Sequence, residues 1–292
     1  MPSLPRRQWN EMTTEDVASG GAVDWVAILP VAAIEQHGPH LPLATDAIIG
    51  AGLLHRTMML AAGLPLTALP MQQIGASDEH IAMAGTLTLR PETLARTLLE
   101  TCEGVARAGI RRLILVSSHG GNGPTLDGVA RALRINHGML AVATSFARFG
   151  VPDEMFSAEE LAFGIHGGAI ETSLMLHLRP DLVRMEKAAY FGSLQQELAD
   201  RYRHLRAYGP VQFGWLAQDL NPAGVVGDAR AATAQKGRAI ADHQAGAFAE
   251  LCREVCSFDL ARLAQPDGDP PLKSRPPEEP GVPFAEQRRR VP

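Results

Sequence analysis

The chain of 292 residues is short of cysteine: it has three, an odd number. None of Cys102, Cys252 and Cys256 stands beside a histidine at a zinc-ligand spacing, and Cys252 and Cys256 share a helical face, so all three read as small core residues. An excess of basic charge is also missing. With 27 Lys and Arg against 32 Asp and Glu, a net charge of -5 and a pI near 6.1, no cationic stripe is available for a nucleic acid, and none is expected as a partner. The start carries no apolar signal segment, and no uncharged apolar run is long enough to cross a bilayer, so no membrane partner and a cytoplasmic location are expected. Gly-x-Ser-x-Gly, Gly-x-Gly-x-x-Gly and the Lys-Ser/Thr ending of a P-loop are all absent. That removes a serine nucleophile elbow and the two standard nucleotide cradles.

What is present is a hydrophobic content of 46%, enough for one large α/β domain. Apolar runs over 25–31, 66–71, 113–116 and 139–146 read as strands, and helical patterns cover 47–62, 91–108, 124–136 and a stretch that has Glu171 in its first turns and runs to about 178. The segment 150–160, with Pro152 and four acidic residues, reads as a surface loop or lid. Residues 190–222 read as a helix rich in Arg, Glu and Tyr followed by a loop, and Thr233 begins a last helix. Three stretches follow: a polar N-terminal extension over 1–24, a catalytic domain over 25–262, and a tail over 263–292. From Pro266 the tail has eight prolines among 27 residues, so it is expected to be disordered or laid over a neighbouring subunit.

Chemistry concentrates where the first strand ends. Glu35, His37, His40 and Asp46 fall within twelve residues. If the chain is still extended at Glu35, Glu35 and His37 project to one side roughly 6 to 7 Å apart. Two metal ions about 3.5 to 4 Å apart could each take one of them, and Pro39 and Pro42 stiffen a turn that could return Asp46 as a bridging carboxylate. The plainer alternative is a solvated polar loop with one structural histidine. His119 stands at a second strand end, where ligands collect in open α/β sheets. The Gly120-Gly121-Asn122 turn after it could instead cradle a phosphate. His80 could touch a ligand group, the substrate, or only solvent. Glu171, in the first turns of a helix, could simply answer the helix dipole.

The segment Leu-Pro-Val-Ala-Ala-Ile-Glu-Gln-His-Gly-Pro-His-Leu-Pro-Leu-Ala-Thr-Asp closely resembles the signature of the creatininase family of metal-dependent amidohydrolases. Four further blocks fit in the same order: Gly-Ala-Ser-Asp-Glu-His-Ile-Ala-Met-Ala-Gly-Thr (75–86), Ser-His-Gly-Gly-Asn-Gly (118–123), His-Gly-Gly-Ala-Ile-Glu-Thr-Ser (166–173) and Gly-Val-Val-Gly-Asp-Ala (224–229). The resemblance implies a single three-layer αβα domain with a mainly parallel sheet and two divalent ions per subunit, zinc, manganese or iron. Taken with the spacing, it assigns Glu35 and His119 to one ion, His37 and Glu171 to the other, and Asp46 to both, with a bridging water or hydroxide as nucleophile. His166 matches the histidine to which the family gives acid/base work.

His40, Ser77, His80 and Asn122 are carried over as residues supporting the ligands or touching the substrate. In creatinine-hydrolysing members the loop histidine is followed by Tyr and a metal-binding Glu, whereas Gly120 and Gly121 stand here, which moves the fifth ligand to Glu171. Few aromatics precede His166, and both departures argue against creatinine itself. The expected activity is hydrolysis of an amide, cyclic amide or formamide in a small-molecule substrate, with trimming of a small modified peptide as the alternative. A phosphosugar or nucleotide enzyme using the Gly-Gly-Asn loop and a catalytically silent scaffold are the competing classes. The family resemblance also implies a homo-oligomer, with a hexamer as the candidate size.

Overall fold

The computed structural model describes residues 4–19 and 21–264; of the Pro-rich tail, 265–292 lie outside the described residues. The centre is a parallel sheet of β1 (Val26–Val31), β2 (Leu66–Ala68), β3 (Arg112–Ser117) and β4 (Leu140–Ser145), in the order β2-β1-β3-β4. β1 and β3 run in register from Val26 opposite Arg112 to Val31 opposite Ser117. Every residue of β1 is buried, as a strand covered on both faces requires, which is why it reads as an unbroken apolar run. Pro30 costs this strand little. Its carbonyl faces Gln72, on the side where β2 has already ended, so its missing N–H removes no β2 ladder bond.

Nine helices are described: α1 (Thr14–Ala18), α2 (Thr45–Leu60), α3 (Pro91–Arg107), α4 (Gly123–His137), α5 (Ala158–Phe163), α6 (Ala169–Leu178), α7 (Leu194–Arg201), α8 (Ala217–Leu220) and α9 (Ala234–Ser257). Val26, Ile28, Ile114 and Val116 turn to one face of the sheet and pack with Leu53 of α2, Met175 of α6 and Ile240 and Phe248 of α9. Ala27, Leu29, Leu113 and Leu115 turn to the other and meet Leu94 and Leu98 of α3 and Leu126 and Leu133 of α4. The strand period of two thus sorts the apolar residues into two cores, each large side chain contributing about 1.5–3 kcal/mol on burial. The result is the expected α/β fold with three layers.

Three segments differ from their sequence reading. β2 stops at Ala68 and not at residue 71, because the ladder slips by one residue after Leu69: Leu69 N–H donates to Ile28 O, but Gln72 N–H, in place of Met71 N–H, donates to Pro30 O. The N-terminal stretch does not stand apart: Leu4, Trp9 and Met12 pack on the second core and Ala68 N–H donates to Arg7 O. Residues 190–222 are not one helix and a loop. They form β5 (Tyr190–Phe191), α7 and α8, and β5 pairs antiparallel with β6 (Gly227–Asp228). Ser193 starts α7 with a capping box to Gln196, and Gly209, Pro210 and Gly214 prevent a longer helix.

Candidate metal centre

The loops leaving β1 and β3 and the first turns of α2 and α6 meet at the carboxyl edge of the sheet. β1 has ended four residues before Glu35, so extended pairing does not bring Glu35 and His37 together. Instead Glu35 N–H donates to Leu43 O, closing the loop, and His37 Nδ1 donates to Glu35 O at 3.1 Å. Gly38, at φ +68°, makes the turn between them and the rest of the loop, with Val225 pressed against it. Asp46 lies in the first turn of α2 and Glu171 in the first turn of α6, positions where the helix dipole favours a carboxylate. Gly167 N–H donates to Glu171 Oε2 at 2.6 Å and sets its direction.

Five of these side chains fall into two sets that share one member. Glu35, Asp46 and His119 form the first and His37, Asp46 and Glu171 the second, each with ligand atoms within 4.8 Å of one another. His119 Nδ1 is 3.2 Å from Glu35 Oε1 and 3.6 Å from Asp46 Oδ2. His37 Nε2 is 3.7 Å from both Asp46 Oδ1 and Glu171 Oε2. The hydrogen bonds fix which nitrogens face inward: His119 Nε2 donates to Ala76 O at 3.0 Å, leaving Nδ1 free, and His37 Nδ1 is taken by Glu35 O, leaving Nε2 free. Both Glu35 oxygens, His37 Nε2 and Asp46 Oδ2 are buried without a hydrogen-bond partner. Buried polar atoms are normally satisfied, so a converging group of orphans fits cations as the missing partners. His166 joins Glu35 and His37 in a third set.

The electrostatics follow from crowding. Burial works to raise the Glu35 pKa, but His119, His166 and His37 hold it well below the usual carboxylate range. Burial, with Glu35 nearby, pushes Asp46 up to about 7. Burial works against the charge of His37, yet Asp46, Glu171 and Glu35 bring it up to about 9. Burial followed by repulsion from His37 and His80 drives His166 well below its ordinary value, so it is neutral. These are the shifts of a site that holds protons where metals would otherwise sit.

Gln36 organises the histidines behind the ligands, a role the sequence did not suggest. Gly38 N–H donates to its Oε1 at 3.0 Å, which fixes the amide, so Nε2 donates to His80 Nδ1 at 2.8 Å and to Gly224 O at 2.5 Å. The His80 proton is therefore on Nε2, 3.4 Å from Glu35 Oε1. His166 Nε2 donates to Gln36 O at 2.9 Å, leaving Nδ1 open, 3.7 Å from Glu35 Oε1. Val226 N–H donates to His166 O at 2.9 Å, which gives the Gly-Val-Val-Gly block its place as a buttress.

The other carried-over residues are spent on the scaffold. Asn122 donates to Ala32 O and Ser117 Oγ and accepts from Ala76 N–H, fully buried, so it clasps three loops and offers its side chain to no phosphate or substrate. His40 touches no carboxylate; its Nε2 lies 3.0 Å from Gly167 O and from Thr172 Oγ1, so it reaches Glu171 only through that turn. Ser77 is buried, with its backbone N–H donating to Thr88 Oγ1 and its own hydroxyl unpartnered.

Glu79, missed in the sequence, stands 3.4 Å from His119 Nε2. A side chain at Gly121 would overlap both His119 and Glu79, so the glycine that departs from the Tyr-Glu pattern makes room for this carboxylate. A cleft of about 400 Å³ opens over Asp46, His119, His166 and Glu171, walled by Tyr208, Gln212 and Trp215 from the segment before α8. The aromatics absent before His166 thus enter from later in the chain.

The sequence matches the family profile described as "Creatininase: Creatinine amidohydrolase" over residues 10–252. It is 34% identical over 253 residues to the mycofactocin precursor peptide peptidase of Mycobacterium ulcerans (strain Agy99), covering 84% of this chain and 88% of that protein. It is 32% identical over 194 residues to the creatinine amidohydrolase of Pseudomonas putida, covering 61% and 72%. Among solved structures, a creatininase titled with manganese superposes with a TM-score of 0.67 at 26% identity over 86% of this chain and 99% of that one. A creatininase variant of "Zn-Zn type" does so with a TM-score of 0.69 at 26% identity over 88% and 100%. With the profile spanning most of its length and the fold in agreement, the chain belongs to the creatininase family.

Proposed function

We propose that this protein is a dinuclear metal-dependent hydrolase that cleaves a carbon–nitrogen bond in a small modified peptide. The observation that carries the reading is Asp46, the shared member of two ligand sets in which both Glu35 oxygens, His37 Nε2 and Asp46 Oδ2 are buried without a hydrogen-bond partner. Glu35, His119 and Asp46 would hold one divalent ion and His37, Glu171 and Asp46 the other; zinc and manganese are the candidates, as in the related creatininases. Bound there, the ions would supply a water whose pKa is lowered from 15.7 to about 7 and would polarise the carbonyl under attack.

The protein's own part is proton handling and enclosure. His166 presents its unprotonated Nδ1 to the cleft, held by the Nε2 bond to Gln36 O, where it can take a proton from the attacking water and pass it to the departing nitrogen. Tyr208 and Trp215 narrow the cleft over the reacting bond. A peptide is favoured over creatinine by the long match to a peptide peptidase and by Gly121 at the position of the Tyr-Glu ligand. A homo-oligomer of hexamer size belongs to the same proposal.

The test is metal content by elemental analysis after purification without added metal, and again after reconstitution with zinc or manganese. About two ions per chain are expected, falling to one or none in Asp46→Ala and to about one in Glu171→Ala. A reconstituted protein that holds no metal ends this reading.

A further inference from the structure

Beside the metal cleft lies a second cavity, of about 300 Å³, that shares Ile165 and Glu171 with it. Its wall is apolar: Ile49, Phe146, Leu161, Ile165, Ile170 and Leu174. At about 30 Å³ per water in the liquid it has room for a side chain, not merely for a trapped solvent molecule. Leu161 and Ile165 at its rim are 52% and 40% exposed, apolar surface left open next to a reactive centre. Its polar lining residues are Glu171, a candidate ligand, Ser118, whose Oγ is itself buried, and Gln244, whose Nε2 donates to Gly150 O.

We infer that this cavity is a specificity pocket that receives a bulky aliphatic or aromatic side chain of the substrate, flanking the scissile bond. The inference rests on the dinuclear reading above and adds the class of substrate. Glu171 belongs at once to one ligand set and to the cavity wall, so a group seated in the pocket lies one side chain away from the metals. Apolar ligand pockets are built in this way, with hydrophobic walls and few polar groups that set orientation. Displacing water from such walls favours a branched or aromatic substituent over hydrogen or a hydroxymethyl group, and the polar side chains Ser or Asp would lose their hydration without gaining partners.

Amino-acid hydroxamates separate the two layers of the argument, because the hydroxamate chelates a divalent ion while the side chain varies. The measurement is the Kd of the zinc-reconstituted protein for glycine, serine, leucine and phenylalanine hydroxamates by titration calorimetry. The leucine or phenylalanine compound should bind about tenfold or more tightly than the glycine one, with serine no better than glycine. Leu161→Asp and Ala147→Phe, both at exposed positions, should bring that ratio down to about threefold or less, the first by charging the rim and the second by filling the space. Equal affinities across the wild-type series, with glycine hydroxamate bound, overturn the pocket and leave the metal site standing. A ratio unchanged in both variants also overturns it. If none of the four binds the reconstituted protein, the dinuclear reading falls and this inference falls with it.

Discussion

His37 and Asp46 hold protons that a metal must displace. With a pKa of about 9 in the metal-free protein, above the ordinary 6.5, His37 is charged at pH 7.5 and must lose its proton to ligate. Asp46, at about 7, is half protonated at neutral pH. His119 is charged as well: burial works against its charge, but Glu35, Glu79 and Asp46 outweigh that burial. Metal binding at pH 7.5 should therefore release about two protons per chain, and affinity should rise from pH 6 towards 9. Calorimetry in buffers of different ionisation heat reads the release directly. His166 has another role: His166→Gln should keep both ions and lower kcat by about 10²- to 10⁴-fold, checked by metal analysis beside steady-state rates. Loss of metal from that variant would move His166 into the third ligand set. The candidate ligands were legible in the sequence because chemically apt residues crowd into short blocks after strands and at helix starts. Gln36, Glu79, Tyr208 and Trp215 were not, because an amide, a loop carboxylate and two aromatics carry no local pattern; their roles come from long-range contacts.

At the scale of elements, α6 is aimed by a residue outside it. Glu160 of α5 is buried and accepts from Ala169 N–H at 2.6 Å and from Asp228 N–H at 2.7 Å, tying the N-terminus of α6 to β6. The close approach is possible because Gly164, Gly168 and Gly227 crowd around its carboxylate with no side chains of their own. Glu160→Gln would turn a donor towards one of two donors and leave it unsatisfied. The expected cost is about 1–3 kcal/mol, seen as a lower Tm, with weaker retention of the ion held by Glu171. The buried strands and long helices were readable, since periodicity and capping residues are local. α5 was not: its six residues follow a Pro-containing acidic loop, and Ser157, which accepts from Glu160 N–H, is its one clear start signal. α7 was read only as part of 190–222, because Tyr202, where it ends in extended backbone, is neither Gly nor Pro.

Over the whole molecule, the ligands come from the loop after β1, the first turn of α2, the loop after β3 and the first turn of α6. Ions bound there would tie both halves of the fold together and bind only the assembled state. At a free metal concentration about 100 times Kd, each ion adds about 2.7 kcal/mol to stability, so two add about 5 kcal/mol, or roughly 10–20 °C in Tm for a chain of this size. A chelator should remove that increment, and differential scanning calorimetry of treated and reloaded protein measures it. No helix of the described residues is long and apolar enough to cross a membrane. Both apolar clusters lie against the two faces of one sheet, so a loss at either face is felt at the strand ends that present Glu35 and His119.

Glu171, the last ligand in the chain, has a consequence for biosynthesis. While the ribosome has delivered only the segments through β3, the second ligand set lacks its carboxylate, and α6 finds its seat only when α9, which packs against it, has also emerged. The complete site is thus a product of finished folding. If the site binds ions as proposed, both sets can fill only after release, from the metal pool that the folded protein meets.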